Sequence, residues 1–132
     1  MELTDLPLMS MLKQRMTWLN QRQDILSQNV ANADTPGFVA RDLKELDFEQ
    51  VLSRSNPAST MMTTNTRHIA LSSSTSSAFE DRAAPDTEAS PNGNAVSLEM
   101  EMIKVSDTQA QFQAAANLYA KTITLMKTAI GH

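Results

Sequence analysis

The run AVSLEMEMIKVSDTQAQFQAAANLYAKTITLMKTAI, residues 95–130, decides the fold class. Its apolar positions are Leu98, Met102, Val105, Phe112, Ala116, Tyr119, Ile123, Met126 and Ile130, with Gln109 as one polar interruption. They alternate in steps of four and three without a slip, the seam of a coiled-coil helix. Glu99 and Glu101 near the start and Lys121 and Lys127 near the end suit the helix dipole. Asn94 or Ser97 can cap the start, and Gly131 is placed as a helix stop. At ~1.5 Å per residue, such a helix is on the order of 50 Å long.

A second seam occupies the N-terminal end, from about Leu6 to Asn32. Met9, Leu12, Met16, Leu19, Leu26, Val30 and Ala33 recur at the same spacing, with Gln23 as the polar member. Asp5 is placed to cap this helix, and Pro7 falls in its first turn, where a missing N–H costs little. The chain therefore reads as mainly α, with long N- and C-terminal helices forming a coiled-coil-type core.

What lies between is different. Residues 53–94 carry many Ser and Thr, including SSSTSS at 72–77, together with Pro57, Pro85 and Pro91. Few apolar side chains are present to offset the entropy of ordering that stretch, so it reads as an extended polar linker. Arg67–Leu71 is the one part that reads as a short β element. Asp42–Leu52 reads as a short helix with Leu43, Leu46 and Val51 on its buried side. Four regions follow: a helix over 1–33, a junction turn and short helix over 34–52, the Ser/Thr-rich middle over 53–94, and a helix over 95–132.

Composition removes most functional classes. The chain has 132 residues, a net charge of −4, three glycines and no cysteine. That suits one domain and excludes disulfides, thiolate nucleophiles and Cys-based zinc sites. Three dispersed glycines cannot cradle a phosphate, and scattered, outnumbered basic residues argue against nucleic acid. His68 and His132 stand apart, so no His-based metal constellation forms, and the acidic run at Asp42, Glu45, Asp47 and Glu49 lacks calcium-loop spacing. No catalytic, metal or cofactor site is expected, and no small-molecule substrate. No apolar run spans a bilayer, and the first residues lack the pattern of a cleaved secretory signal.

Each helix also carries a second apolar flank: Met11, Trp18 and Ile25 on the first, Met100, Ile103, Leu118 and Leu125 on the second. A lone hairpin leaves both flanks in water. Covering them at ~25 cal/mol per Å² is worth several kcal/mol, so coverage by other chains is favoured over a closed bundle walled by the 42–52 helix. Methionines in the seams suit surfaces that meet unlike neighbours. Gln23 and Gln109 are read as polar layers that set register, against the plainer reading of exposed breaks in the seam.

The segment closing the first helix is the most specific: Asn29, Val30, Ala31, Asn32, Ala33, Asp34, Thr35, Pro36, Gly37, Phe38. Asn29 and Asn32 share a face of the last turn, and Asn suits a helix end. Pro36-Gly37 fits the centre of a type II turn, so the chain must leave the helix sharply. This string resembles the signature of the flagellar axial proteins (rod, hook and hook-associated subunits), in which Asn-x-Ala-Asn-x-x-Thr-x-Gly-Phe/Tyr follows the N-terminal helix. Phe38–Asp42, Thr66–Ile69, Asn92–Met102 and the Gln-then-Ala stretch Gln109–Ala116 are similar to the basal-body rod members of that family.

The resemblance implies a structural subunit of the proximal rod, the periplasmic drive shaft that transmits torque for motility. Subunits of this kind polymerise into a helical assembly through their terminal helices. They leave the cytoplasm by the flagellar type III apparatus without a cleaved signal peptide. Implied partners are other rod proteins, further copies of the chain, and the rod-to-ring adaptor and export gate at the base. Rival readings are a coiled-coil subunit of another secretion apparatus and a cytosolic helical adaptor or chaperone.

Overall fold

A computed structural model describes residues 7–46, 79–86 and 89–131. Four elements follow in chain order: α1 (Pro7–Ala31), β1 (Arg41–Leu43), β2 (Asp81–Ala83) and α2 (Leu98–Ile130). Asn29 near the end of α1 bonds Glu101 at the start of α2, while Arg15 further back bonds Gln111 further on. The helices therefore run antiparallel, and the fold is mainly α.

The ends of α2 follow from local chemistry. Ser97 sits in extended backbone and its side chain accepts the Met100 N–H. Gly131 adopts φ 86°, where a side chain would be strained, and its N–H reaches back to the Lys127 and Thr128 carbonyls. Pro7 opens α1, where its missing donor is harmless. The cap expected at Asp5 lies outside the described residues.

β1 and β2 form an antiparallel pair with Arg41 opposite Ala83, Asp42 opposite Arg82 and Leu43 opposite Asp81. The ladder continues through Lys44 N–H to the Glu80 carbonyl and Ala84 N–H to the Ala40 carbonyl. The helix expected from Asp42 does not begin there: Arg41–Leu43 is strand, and Lys44–Leu46 carries no regular element. Arg22 holds Asp42 by two 2.9 Å bonds, and Leu43 enters the core. These contacts override a weak local helical pattern. The remainder of that expected helix, and the short strand at 67–71, lie outside the described residues.

The core forms where this β pair lies on the helices. Trp18, Leu19, Leu43 and Ala115 are buried together, with Met16, Ile25, Leu46, Phe79 and Phe112 packed around them. The Trp18 indole Nε1–H donates to the Lys44 carbonyl at 3.0 Å. Arg15 and Arg22 lie 4.9 and 5.5 Å from its ring centroid, at cation–π range. Trp18, read from the sequence as part of an outer flank, is thus corrected to the inside, and Ile25 of the same flank is half-buried against that core. Leu43 and the Lys44 carbonyl of the chain's own 41–46 segment lie against Trp18.

The face of α2 that is buried differs from its apolar seam. Its buried positions are Glu101, Thr108 and Ala115, seven residues apart, with Val105, Phe112 and Tyr119 half-buried between them. One row of the heptad therefore coincides with the seam. The other is displaced by one residue, from Met102, Gln109 and Ala116 onto Glu101, Thr108 and Ala115. Thr108 manages burial by returning its hydroxyl to the Lys104 carbonyl at 2.7 Å, and Ala115 is small enough to admit Trp18 and Leu19.

Candidate functional site

The densest polar construction joins the end of α1, the turn after it, the strand entry and the start of α2. It is built on Asn29, which is 1% exposed. Asn29 Nδ2 donates to the Arg41 carbonyl at 2.7 Å and to Glu101 Oε2 at 2.9 Å, and Oδ1 accepts the Arg41 N–H at 3.0 Å. One amide thus ties α1 to the chain leaving the junction and to α2. Its polar atoms are paired, as a buried amide requires.

The turn itself follows its sequence. The Phe38 N–H reaches the Thr35 carbonyl across Pro36-Gly37, and Gly37 takes φ 75°, as a type II turn requires. Asn32 Nδ2 donates back to the Gln28 carbonyl, and Thr35 Oγ1 donates to Asn32 Oδ1. Ala31, Asp34, Thr35, Pro36 and Gly37 are exposed, while Asn32 and Phe38 are half-buried.

A second asparagine closes the turn from the far side. Buried Asn94 donates through Nδ2 to the Thr35 carbonyl at 2.7 Å and to the Asn32 carbonyl at 3.1 Å. Its Oδ1 accepts the Val96 N–H at 3.0 Å. Around it the Gly37 N–H donates to the Asn92 carbonyl, the Ala95 N–H donates to the Phe38 carbonyl, and Val39 pairs with Ala95 in a parallel bridge. The two turns touch at glycine: a Cβ on Gly93 would lie 3.2 Å from Gly37 Cα.

A buried charge cluster sits beneath this clamp. Lys104 Nζ bonds Asp86 Oδ1 at 2.5 Å and Glu101 Oε1 at 2.8 Å, and Asp86 Oδ2 accepts the Ser97 N–H at 3.1 Å. Burial pushes the Glu101 carboxyl above its ordinary range, against the donations of Lys104 and Asn29. Burial would raise Asp86 too, but the bonds from Lys104 and the Ser97 N–H outweigh it and hold Asp86 below its ordinary range. Burial would lower Lys104, yet the two carboxylates keep it raised. The bidentate bond to Asp42 raises Arg22 on the neighbouring face of α1.

The seam residues of α1 are all drawn inward: Met9, Leu19 and Leu26 are buried, and Leu12, Met16 and Val30 half-buried. Gln23 is half-buried, with Oε1 lacking a partner among the described residues, whereas Gln109 is exposed. On α2, Val105, Phe112, Tyr119, Ile123 and Met126 are half-buried. Leu98 and Met102, by contrast, are each 51% exposed, and Ile130 is also exposed. The second flank divides between the helices: Met11 and Ile25 are half-buried and Trp18 is inside, while Met100, Ile103, Leu118 and Leu125 face outward.

Asp86, Gly93, Asn94, Glu101 and Lys104 are members that the sequence reading does not place in a site; it gives Asn94 only as a helix cap. Asn92-Gly93 was an available turn signal. A single lysine shared by acids fifteen positions apart leaves no periodic trace.

The arrangement offers fixed geometry and an uncovered apolar face. Among the described residues no helix is long and apolar enough to cross a membrane, and no group of His, Asp and Glu could hold a metal ion. The family described as flagella basal body rod protein matches residues 13–38, the stretch from α1 through the turn. Over 97 residues, 70% of each chain, the sequence is 33% identical to the flagellar basal body rod protein FlgB of Escherichia coli (strain K12). It is 28% identical over 109 residues to the FlgB of Bacillus subtilis (strain 168), covering 83% of this chain and 81% of that one. The FlgB of Cereibacter sphaeroides is 30% identical over 112 residues, 83% of this chain and 82% of its own.

Proposed function

This chain belongs to the flagellar basal-body rod protein family, and from that membership we propose that it serves in the proximal rod as a torque-transmitting subunit. It is a structural subunit of the bacterial flagellar basal body, not an enzyme, and assembles with other rod components. Its proposed contacts are other rod proteins and further copies of itself along the shaft, with the rod-to-ring adaptor and export gate at the base. Its proposed site of action is the periplasm, reached through type III export.

The observation that carries this reading is the outward apolar face of α2. Ile103 is 68% exposed and Leu125 62%, on a helix whose inner row is already occupied. Covering such a row at ~25 cal/mol per Å² is worth several kcal/mol, enough to drive packing against neighbouring helices. The junction clamp supports the same role, because torque passes through a subunit only if its two helices keep a fixed angle. Deleting the gene and imaging basal bodies by electron microscopy tests the proposal. Rings without a rod, restored by the intact gene, are expected; complete rods and normal swimming in the deletion strain would reject it.

A further inference from the structure

The junction buries two carboxylates against one cation. Glu101 is 0% exposed and the Asp86 side chain 1%, and both rest on the same Lys104 ammonium. Among the described residues, the remaining partners of Glu101 and Asp86 are neutral: the Asn29 amide from α1 and the Ser97 N–H from the start of α2. Arg22, on α1, is the next cation along this face, but Asp42 of β1 already holds its guanidinium by two bonds. Asp107, further along α2, adds negative charge near Arg22. Arg41 directs its own guanidinium to Asp81 of β2. Counted over the described residues and fully ionised, the cluster carries one uncompensated negative charge away from water, an arrangement that proteins relieve by protonation.

Both carboxyl groups lie against that single ammonium, at 2.5 and 2.8 Å, so their like charges sit side by side away from water. Two carboxylates confined to one such site do not both stay ionised, and one proton relieves the repulsion. We propose that Glu101 and Asp86 share a single proton when the junction closes, making Glu101 the positioning residue of a proton-linked latch between the two helices. The proton sits on Glu101 and is donated to Asp86, which stays ionised against Lys104. Glu101 then accepts from Lys104 and Asn29, and the cluster is neutral. This goes beyond membership of the rod, and it concerns how the subunit closes rather than where it assembles.

The sign of the pH dependence follows. The closed form holds the Glu101 proton above the ordinary glutamate value of 4.5, where the open form has released it. Closure is therefore favoured as pH falls toward that value and weakened as pH rises through the raised Glu101 range. Asp86, held below its ordinary 3.8, acts oppositely, so closure weakens again in stronger acid. Uptake of one proton changes the closing equilibrium by up to about tenfold per pH unit within the first window.

Urea unfolding of the full chain, followed by circular dichroism between about pH 5 and about pH 8, tests the latch. The unchanged chain is expected to resist urea better at the acid end. Glu101→Gln, whose amide can donate to Asp86 at any pH, should lose that dependence and match or exceed the unchanged chain at the alkaline end. Asp86→Asn should also flatten the profile, by leaving Glu101 alone with Lys104. Infrared spectra of the unchanged chain should show one protonated carboxyl above the ordinary glutamate range, missing from Glu101→Gln. Parallel pH profiles for the unchanged and Glu101→Gln chains would overturn the proposal, as would the absence of that carboxyl band. The infrared result decides even where a variant does not fold.

Discussion

At Asn29, three hydrogen bonds pass through a single side chain, and all three cross between segments distant in sequence. Asn29→Ala would leave the Arg41 backbone groups and Glu101 short of a partner in a buried place. Each unmet buried group costs roughly 1–3 kcal/mol, so the substitution should destabilise the chain by about 2–4 kcal/mol in urea unfolding. Asn32, half-buried and bonded mainly to its own helix end, should cost less than about 1 kcal/mol when replaced by Ala. The same contrast separates the two turn glycines. Gly37→Ala meets nothing within 4 Å and bears only the strain of its φ of 75°, about 1–2 kcal/mol. Gly93→Ala bears a similar strain and also drives a methyl to 3.2 Å from Gly37 backbone, so it should be the more damaging of the pair. Equal losses at Asn29 and Asn32, or at Gly93 and Gly37, would contradict this account of the clamp.

Among the elements, Trp18 shows what joins the β pair to the helices. It supplies the largest core side chain, an indole bond to the Lys44 carbonyl, and a ring flanked by Arg15 and Arg22. Trp18→Ala is expected to cost about 3–5 kcal/mol, whereas Trp18→Phe should keep most of the packing and lose the indole bond, about 1 kcal/mol. Thermal unfolding of both variants checks the order. The two helices were legible in the sequence because apolar periodicity and capping residues are local signals. The rotation of α2 was not, because the row it buries is Glu101, Thr108 and Ala115, and polarity there is satisfied only by Lys104, Asn29 and a backbone carbonyl. The strand pair was hidden for a related reason. RDL and DRA hold no β-branched residue, and their pairing is decided by Arg22 on Asp42, Arg41 on Asp81 and Leu43 in the core. The turn after α1 was readable residue by residue, since Pro36-Gly37 dictates its own geometry. The segment that closes it, Asn92–Ala95, comes from far along the chain and only tertiary contacts reveal it.

For the whole molecule, the question is what an isolated subunit does with its uncovered face. Ile103 and Leu125 lie on α2 well outside the intrachain core, 68% and 62% exposed. Glutamate at either position removes apolar area from the outward face without unpairing a buried group. Ile103→Glu and Leu125→Glu should therefore leave urea stability of the isolated chain within about 0.5 kcal/mol. In the assembled rod the same charges would be buried without partners, at a cost of several kcal/mol per subunit. The expected outcome is a folded, exported subunit that fails to build a rod, seen as lost spreading in soft agar and rodless basal bodies in electron micrographs. Glutamate in place of Asn20, exposed on α1 and off that face of α2, provides the control and should leave swimming intact. Normal swimming by both Ile103→Glu and Leu125→Glu would show that this face stays in water after assembly. Loss of swimming with a parallel loss of stability would place the two side chains in the subunit's own core, contrary to their exposure. Only unchanged stability together with lost assembly assigns the face to neighbouring subunits.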